Sequence, residues 1–504
     1  MHGPEKYYGP DGTTDRSVTG RFSNVELTFV GQAFRLGRYA IHFHLNGWMD
    51  DSYVKKCAIH KSFNRAVNIH GTNYVTIEQN VAFDIMGGAL FLEDGIEEHN
   101  TFHQNVVIFC KASTSLQNDD ITPAAYWITN ANNVYTENRA AGGTHFGFWF
   151  RMHSTPESSS ATEFAGVNPR LSPLGVFRDN VVHSQGWFGI WVFQVWTPMS
   201  LDDTEVPQVA VFDGLDSWNN EKCAEWVGGG ALQWTRFRCV NNQIAGIEMK
   251  MMMERFYEPF DIDNGPAIKN SIFMAYDGSG TLGDHNHANS ALILPMSFGL
   301  YLADIKYINY DRANTHVFSF AVIQGTVIDY HGGFSYKARG QSFVNTAPEQ
   351  KFNWEWLSQG FMIDEDGSVI GDDFYDTSRS AVDFSGYTIL PNTGILPTAS
   401  ASDGCQVVTA TTGLAYPSAI CDSSFKFRRF SFNEFAPDSL EGKYAYFENE
   451  HGSTFAHWKP KRKTHPQGWM VVLYADTEYV VTFQDAEDVT NITYNGVFYG
   501  IEVR

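Results

Sequence analysis

The chain has 504 residues, 43% hydrophobic and 15% aromatic, so it can bury a large core and is not a disordered chain. Its formal net charge of −22 argues against a nucleic-acid partner, because phosphates repel an acidic surface. Only 18% of residues are charged and glycine is abundant at 44, which is typical of turn-rich β structure. No apolar run approaches the roughly 18 residues that a membrane-spanning segment needs.

Residues 1–20 form a polar, irregular lead-in, and a repeated strand pattern begins at Arg21. Each repeat has a turn residue followed by a short apolar segment that alternates between inward and outward positions. Five repeats share an offset of eleven positions from the turn residue to the second strand position: Gly31 to His42, Cys57 to Asn68, Asn80 to Phe91, Asn138 to Trp149 and Asn180 to Trp191. Equal offsets indicate one structural unit repeated along the chain.

Successive apolar segments lie roughly 22–26 residues apart where no loop is inserted, the spacing that stacked coils of a solenoid require. We therefore predict a right-handed parallel β-helix over residues 21–385. Asparagines recur at the turns and are expected to form one buried stack that satisfies the backbone where the sheet bends. The predicted members of this stack are Asn80, Asn105, Asn138, Asn180 and Asn242.

The composition changes near residue 386. Residues 386–424 are rich in Thr, Ser, Ala, Gly and Pro, which predicts a linker or lid. Residues 425–504 contain alternating apolar segments between polar turns, which predicts a small antiparallel β-sandwich. Its last strand is expected to run into the end of the chain, so the sandwich can be a truncated one. The predicted fold class is all-β: a right-handed parallel β-helix solenoid followed by a small antiparallel β-sandwich.

Six cysteines fall into two groups. Cys57, Cys110, Cys223 and Cys239 lie in apolar strand patterns and are expected to be small core residues. The other two, Cys405 and Cys421, flank a loop that a disulfide can close, and such a bond is typical of an oxidising compartment.

Several long segments resemble the β-helix region of the fibrocystin-L family, among them Gly142-Gly-Thr-His-Phe-Gly-Phe-Trp149. The others are 38–47, 63–70, 93–97, 118–125, 183–189 and 245–250. More distantly, the chain is similar to the cell-surface hyaluronidase group. The resemblance implies β-helix repeats in a large secreted or membrane-anchored ectodomain at the cell surface or on a cilium or flagellum, so this chain is expected to be part of a larger precursor.

The two groups imply different functions. The fibrocystin-L family implies a surface-coat component without established catalysis, whereas the hyaluronidases cleave hyaluronan and implicate Ca²⁺. Because the stretch from His145 to Trp149 is of the fibrocystin-L type, the preferred function is structural. It is a unit of a cell-surface or ciliary coat that assembles through its solenoid faces with other copies or other coat proteins and can bind polysaccharide. The alternatives are a hyaluronidase-like enzyme and a carbohydrate-binding module.

Alternation along the strands places two outward columns side by side on one solenoid face. One column contains His42, Asn68, Phe91, Trp127, Trp149, Trp191 and Glu248, and the other contains His44, His70, Glu93, Thr129, Arg151, Phe193 and Lys250. Flat aromatic rings stack on sugars, so this face is a candidate glycan groove. The alternative is that inserted loops or a neighbouring protein cover the rings, which makes the face a second core or an assembly interface.

Acidic residues beside this face are the candidates for catalysis if the chain is an enzyme. Glu93, Asp94 and Glu97 would act as general acid and base, with His145 and Arg151 beside them. The alternative for these acids is a solvated loop.

Two kinds of metal site are possible from the sequence. Oxygen ligands for Ca²⁺ are offered by the acids near Glu93 together with Asp119 and Asp120, and by Asp364 and Asp366, which are alternatively a turn. A transition metal suits His42, His44 and His70 with Glu93, and the alternative is a hydrogen-bonded stack of imidazoles.

Overall fold

The structure is a computed structural model. It describes residues 18–113, 118–158, 160–203, 206–252, 261–276, 289–295, 299–320, 335–353, 361–371, 386–390, 405–408, 418–422, 425–436, 440–450, 452–458, 468–474, 477–485 and 493–496. The predicted lead-in lies outside the described residues except for 18–20. The chain forms two compact units, the first comprising Met1–Met249 with Asp263–Leu292 and the second Lys250–Ile262 with Ile293–Arg504.

The first unit consists of short strands. The strands up to the first large insertion are β1 (Arg21–Ser23), β2 (Glu26–Thr28), β3 (Ile41–Trp48), β4 (Tyr53–Lys55), β5 (Ala58–Ser62), β6 (Val67–Asn73), β7 (Thr76–Glu78), β8 (Val81–Met86), β9 (Leu90–Leu92), β10 (Thr101–His103) and β11 (Val106–Lys111). The strands that follow are β12 (Ala124–Ile128), β13 (Val134–Thr136), β14 (Arg139–Ala141), β15 (Phe146–Phe150), β16 (Val176–His183), β17 (Phe188–Trp196), β18 (Ala210–Trp218), β19 (Lys222–Gly229), β20 (Leu232–Val240), β21 (Ala245–Met252), β22 (Ala267–Lys269), β23 (Ile272–Met274) and β24 (Asn289–Leu294). Short helices lie at Asn118–Asp120, Ser160–Glu163 and Pro169–Leu171.

Each coil of the first unit contributes one strand to each of three parallel ladders. Sheet A contains β3, β6, β9, β12, β15, β17, β19 and β21. Sheet B begins with β1, β4, β7, β10 and β13, and sheet C with β2, β5, β8, β11 and β14. The longer strands β16, β18 and β20 continue sheets B and C together. This stacking confirms the predicted right-handed parallel β-helix.

A ladder of buried asparagines lines the turn between sheets B and C. The backbone N–H of Cys57 donates to Asn80 Oδ1 at 2.9 Å, and that of Asn80 donates to Asn105 Oδ1 at 3.1 Å. Asn138 and Asn180 continue the ladder, and each Nδ2 donates to a carbonyl of the preceding coil. The residue before each asparagine has a left-handed φ of 53–56°, at Gln79, Gln104, Glu137 and Asp179. The ladder satisfies the turn's polar backbone groups without water.

Asn242 was predicted to join this ladder, and that prediction is wrong. It lies at the turn between sheets C and A, where the N–H of Gln185 donates to Asn220 Oδ1 and the N–H of Asn220 donates to Asn242 Oδ1 at 3.1 Å. A third turn, between sheets A and B, carries Asn100 and Asn133. All three turns therefore use buried amides, and sequence spacing alone does not distinguish one turn from another.

The interior of the solenoid is filled by the inward positions of all three sheets. Tyr126 and Phe148 on sheet A are fully buried and stack at 4.3 Å, and Phe148 meets Phe177 of sheet B edge-on at 5.2 Å. The Tyr126 hydroxyl donates to the Asn105 carbonyl at 3.1 Å, so its buried polar tip has a partner. Aromatic stacks that follow the coil axis thus tie neighbouring coils together.

The second unit begins with further strands and ends in a sandwich. Its strands are β25 (Leu300–Ile308), β26 (Thr315–Phe320), β27 (Ser335–Val344), β28 (Phe361–Asp364), β29 (Tyr387–Leu390), β30 (Cys405–Val408), β31 (Ser418–Asp422), β32 (Phe427–Ala436), β33 (Tyr444–Asn449), β34 (Gly452–His457), β35 (Gly468–Tyr474), β36 (Val480–Phe483) and β37 (Thr493–Gly496). A short helix lies at Pro348–Gln350. Strands β25, β27 and β28 pair in parallel.

The antiparallel sandwich predicted for the C-terminal part is present. Its two sheets are β35-β32-β37 and β34-β33-β36, and Trp469 lies fully buried in the core. The linker or lid predicted over 386–424 stays a prediction, and the described part of this segment forms β29, β30 and β31, which pair antiparallel and extend from β28. The small residues of this segment form short strands whose inward side chains, such as Cys405 and Ala419, are fully buried.

Four cysteines form disulfides. Cys405 and Cys421 are joined, with their strands paired side by side. Cys223 and Cys239 are joined as well, which corrects the prediction that they are only small core residues, whereas Cys57 and Cys110 are free and buried. Among the described residues, no helix has the length and apolar character needed to cross a membrane.

Candidate functional site

The outward column of sheet A has the predicted register. His42 pairs with Asn68, Asn68 with Phe91, Phe91 with Trp127, Trp127 with Trp149, and Trp149 with Trp191. Trp191 then pairs with Glu225, so Glu225 faces outward and the adjacent Trp226 faces the core. The column therefore divides into a polar part, an aromatic part and an ionic part.

The aromatic part is covered, so the structure supports the second-core alternative for these residues. Phe91 and Trp127 are each 1% exposed and Trp149 is 6% exposed, although none of them belongs to the solenoid interior. They form a separate apolar cluster with Phe146 and Phe188, in which the Trp127 and Trp149 rings lie 4.3 Å apart. The predicted open groove is therefore absent at these three rings.

The cluster opens to solvent at one end. Trp187 is 40% exposed, and Trp191 and Phe193 are half-buried, with their rings stacked 4.7 Å apart. His145 lies beside this opening, 4.8 Å from the Trp187 ring, and burial lowers its pKa. These residues form the part of the predicted aromatic face that a ligand can reach.

Arg151 lies at the edge of the aromatic cluster, 5.5 Å from the Trp127 ring. Its guanidinium pairs with Glu157 at 3.1 Å and is 3.7 Å from Asp119, and His153 is 3.3 Å from the Glu157 carboxylate. Burial raises the pKa of Glu157, while burial and then Arg151 lower the pKa of His153 to about 4. Glu157 and His153 were not predicted, because they lie in an insertion without periodicity.

A buried charged network begins where the aromatic column ends. Arg65 is 1% exposed, its Nε donates to Asp120 Oδ1 at 3.1 Å, and its guanidinium lies 3.4 Å from the centre of the Phe91 ring. It also donates to Asn68 Oδ1 at 3.1 Å, and Asn68 in turn donates to Glu93 at 2.6 Å. Arg65 was not predicted as a site residue, yet it contacts three residues that were, Asp120, Phe91 and Asn68. Asp120 is buried against Arg65 and is not exposed to solvent as a free Ca²⁺ ligand.

Asp94 and Glu97 are buried, which rules out the solvated-loop alternative for both. Asp94 Oδ2 accepts from His70 Nε2 at 2.8 Å and from the Ser160 hydroxyl at 2.6 Å. Glu97 accepts from the N–H groups of Gly71, Asp94 and Gly95, and burial, followed by the Asp94 charge, raises its pKa to about 7. These contacts hold the loop in place and leave little room for a substrate.

Three histidines converge beside these acids. The Nδ1 atoms of His44 and His70 are 3.0 Å apart, and the His42 ring centre lies 4.9 Å from that of His44. Burial lowers the pKa of His70, but the hydrogen bond to Asp94 and the charge of Glu93 outweigh it, so the pKa is raised. For His42, burial and then the neighbouring His44 lower the pKa to about 3. The predicted grouping of these side chains is present.

The far end of the column is ionic. Lys222 Nζ lies 2.5 Å from both Glu225 and Glu248, and these two charges outweigh burial and raise the pKa of Lys222. Lys250 lies two residues further along β21 and is half-buried. Glu248 thus neutralises a buried lysine.

Asp364 and Asp366 cap a turn in the second unit. Asp364 Oδ2 accepts from the N–H groups of Val369 and Ile370, each at 3.0 Å, and Asp366 accepts from Gly340 N–H at 2.7 Å. Burial raises the pKa of Asp364 to about 6. These contacts are those of a turn, which was the alternative given for Asp364 and Asp366. Ca²⁺ binding by this pair stays a prediction.

Comparisons with known proteins agree with this architecture. Residues 13–190 match the family model described as CEMIP beta-helix. The chain is 39% identical over 488 residues to fibrocystin-L of Homo sapiens, an alignment that covers 96% of this chain and 11% of that protein. It is 32% identical over 306 residues to Cell surface hyaluronidase CEMIP2 of Homo sapiens, covering 50% of this chain and 22% of that protein. A solved structure, the Siphovirus 9NA tailspike receptor binding domain, aligns at 9% identity with a TM-score of 0.36, over 97% of this chain and 89% of that one.

Stacked parallel ladders with buried amides at the turns define a parallel β-helix protein. Within that class the chain is similar to fibrocystin-L along 96% of its own length, and residues 13–190 match the CEMIP beta-helix model. It spans about a tenth of the length of fibrocystin-L and about a fifth of the hyaluronidase.

Proposed function

We propose that this chain is a structural segment of a cell-surface protein, and that its solenoids pack side by side through the outward face of sheet C. The observation that carries this proposal is a row of mainly apolar side chains on that face. Paired residues of successive coils form it: Phe83, Ile108, Ala141, His183, Trp218, Val240 and Met274. Phe83 is 43% exposed, and the other members are half-buried.

A second copy of the solenoid fits this row best. Successive members lie one coil apart, about 4.8 Å, and a partner with the same repeat can match each of them. Two ion pairs beside the row are formed within the chain, since Arg238 binds Asp216 and Arg236 binds Asp213. Packing two such faces together buries apolar surface and does not require either of these two ion pairs to break.

Sedimentation equilibrium tests this packing. We expect the chain to form a reversible dimer, and Phe83→Lys to weaken it at least about tenfold, because a charge placed in an apolar contact costs more than about 1.4 kcal/mol. Val211→Lys is the matched control, since Val211 is 40% exposed but lies on sheet B. A chain that stays monomeric at all concentrations contradicts the proposal, as does equal weakening by both substitutions.

Polysaccharide binding is a second candidate function, favoured by the open end of the aromatic cluster. Trp191 and Phe193 offer stacked, half-buried rings of the kind that sugars contact, and Trp187 extends this surface. One relative is named a cell surface hyaluronidase, and that name refers to the polysaccharide hyaluronan. If hydrolysis occurs, Asp119 and Glu157 on either side of Arg151 are the carboxylates that solvent reaches, whereas Asp94 and Glu97 are buried.

A further inference from the structure

The histidine cluster of His42, His44 and His70 has the geometry of a metal site. One ring nitrogen from each residue lies within 4.8 Å of the others, and two of them are 3.0 Å apart. A tetrahedral ion with bonds of about 2.0–2.1 Å holds its nitrogen ligands about 3.3–3.4 Å apart. Small ring rotations therefore suffice to bring all three nitrogens to one ion.

The outer contacts of two rings indicate which ring nitrogen keeps a lone pair for an ion. His42 Nδ1 lies 3.1 Å from the Gly37 carbonyl, which only accepts, so this nitrogen carries the proton and Nε2 keeps its lone pair. His70 Nε2 lies 2.8 Å from the Asp94 carboxylate, so in the neutral ring Nε2 carries the proton and Nδ1 has the lone pair that an ion would bind. A carbonyl or carboxylate behind a ligating imidazole is the usual arrangement around bound zinc.

A fourth ligand is within reach. Glu93 Oε2 lies 3.6 Å from His70 Nδ1 and accepts from Asn68 Nδ2 at 2.6 Å, which fixes the carboxylate beside the rings. His42 and His44 are only partly buried, so an ion can enter from solvent. Three imidazoles with one carboxylate or one water suit a divalent first-row transition metal and not Ca²⁺, which prefers oxygen ligands.

From this geometry we infer that the first coils of the solenoid bind one divalent transition-metal ion such as Zn²⁺. Its ligands are His42, His44 and His70, with Glu93 or a water as the fourth ligand. Asp94 positions His70 from behind. The ion would join β3 to β6, the strands on which the histidines lie, and so fasten the outermost described coils of sheet A.

Calorimetric titration of the EDTA-treated, tag-free chain with Zn²⁺ tests the site. We expect one ion per chain, with His44→Asn losing binding at least 100-fold and Asp94→Asn weakening it about 10–100-fold. The control is His60→Asn, because His60 lies on sheet C, paired with Glu26, and should bind Zn²⁺ as the unmodified chain does. Co²⁺ should bind in the same ratio and give the visible absorption of a four-coordinate site.

Failure of the unmodified chain to bind one equivalent of Zn²⁺ overturns the inference, whether or not the variants fold. So does stoichiometric binding that persists in His44→Asn with unchanged affinity. Circular dichroism of each variant shows whether the fold is retained. For a folded His44→Asn chain, loss of the Co²⁺ absorption then assigns the ligand directly.

Discussion

Replacing Arg65 with methionine is expected to lower the free energy of unfolding by about 3–5 kcal/mol, because it leaves a buried carboxylate without its partner. Arg65 and Asp120 are both almost completely buried and share a 3.1 Å hydrogen bond. Methionine keeps the length of the side chain but removes the charge and the contact with the Phe91 ring. Denaturant unfolding followed by tryptophan fluorescence measures the change.

Two further variants separate the ion pair from general packing. In Arg65→Met/Asp120→Asn the uncompensated charge is gone, so part of the lost stability should return. Arg238→Met should change the free energy of unfolding by no more than about 1 kcal/mol, because the Arg238–Asp216 pair is exposed. A loss from Arg65→Met no larger than that from Arg238→Met would show that the buried network does not stabilise the fold.

The second large effect is expected for Asn105→Ala in the asparagine ladder. The Asn105 side chain accepts from Asn80 N–H at 3.1 Å and donates to the Ile77 carbonyl at 2.8 Å, and both groups are buried. Each polar group left without a partner costs about 1–3 kcal/mol, so we expect a total loss of about 3 kcal/mol or more. Thermal and denaturant unfolding both measure it.

The neighbouring glutamine provides a matched control. Gln104 forms a parallel ladder on the outside of the same turn, accepting from Gln79 at 2.9 Å and donating to Glu137 at 2.9 Å. Because solvent replaces these partners, Gln104→Ala should cost no more than about 0.5 kcal/mol. Equal losses from the two substitutions would mean that burial of the amides is not what stabilises the turns.

The repeat and the register of sheet A could be predicted because both follow from local chemistry. A strand has a period of two, so one correct offset, such as Asn138 to Trp149, fixes which side chains share a face. The pairing of Trp127 with Trp149 and Trp191 follows from that offset. The grouping of His42, His44 and His70 follows from the same periodicity.

Long-range contacts of the inserted segments could not be predicted. Arg65 meets Asp120 across 55 positions, and Asp94 meets Ser160 across 66, and neither partner belongs to a periodic segment. Because of these contacts, Asp94 is buried and Asp120 is hydrogen-bonded to Arg65. Neither acid is therefore exposed to solvent. The Cys223–Cys239 disulfide was missed for a related reason, since both residues also fit an apolar core pattern.

The burial of the rings and of Asp94 and Glu97 favours the proposed structural role over a hydrolytic one. A hydrolase acting on a polymer needs an open groove with reachable carboxylates. Along the aromatic part of the outward column, Phe91, Trp127 and Trp149 are covered, whereas the stretch around Trp191 is open to solvent.

The size of hyaluronan after incubation with the chain, with and without Ca²⁺, is the measurement that separates these roles most directly. Size-exclusion chromatography with light scattering reports both polymer length and any bound protein. We expect the polymer length to stay constant, and any co-elution of the chain to disappear in Trp191→Ala. Shortening of the polymer that is abolished by Glu157→Gln would contradict the structural function and establish a hydrolase.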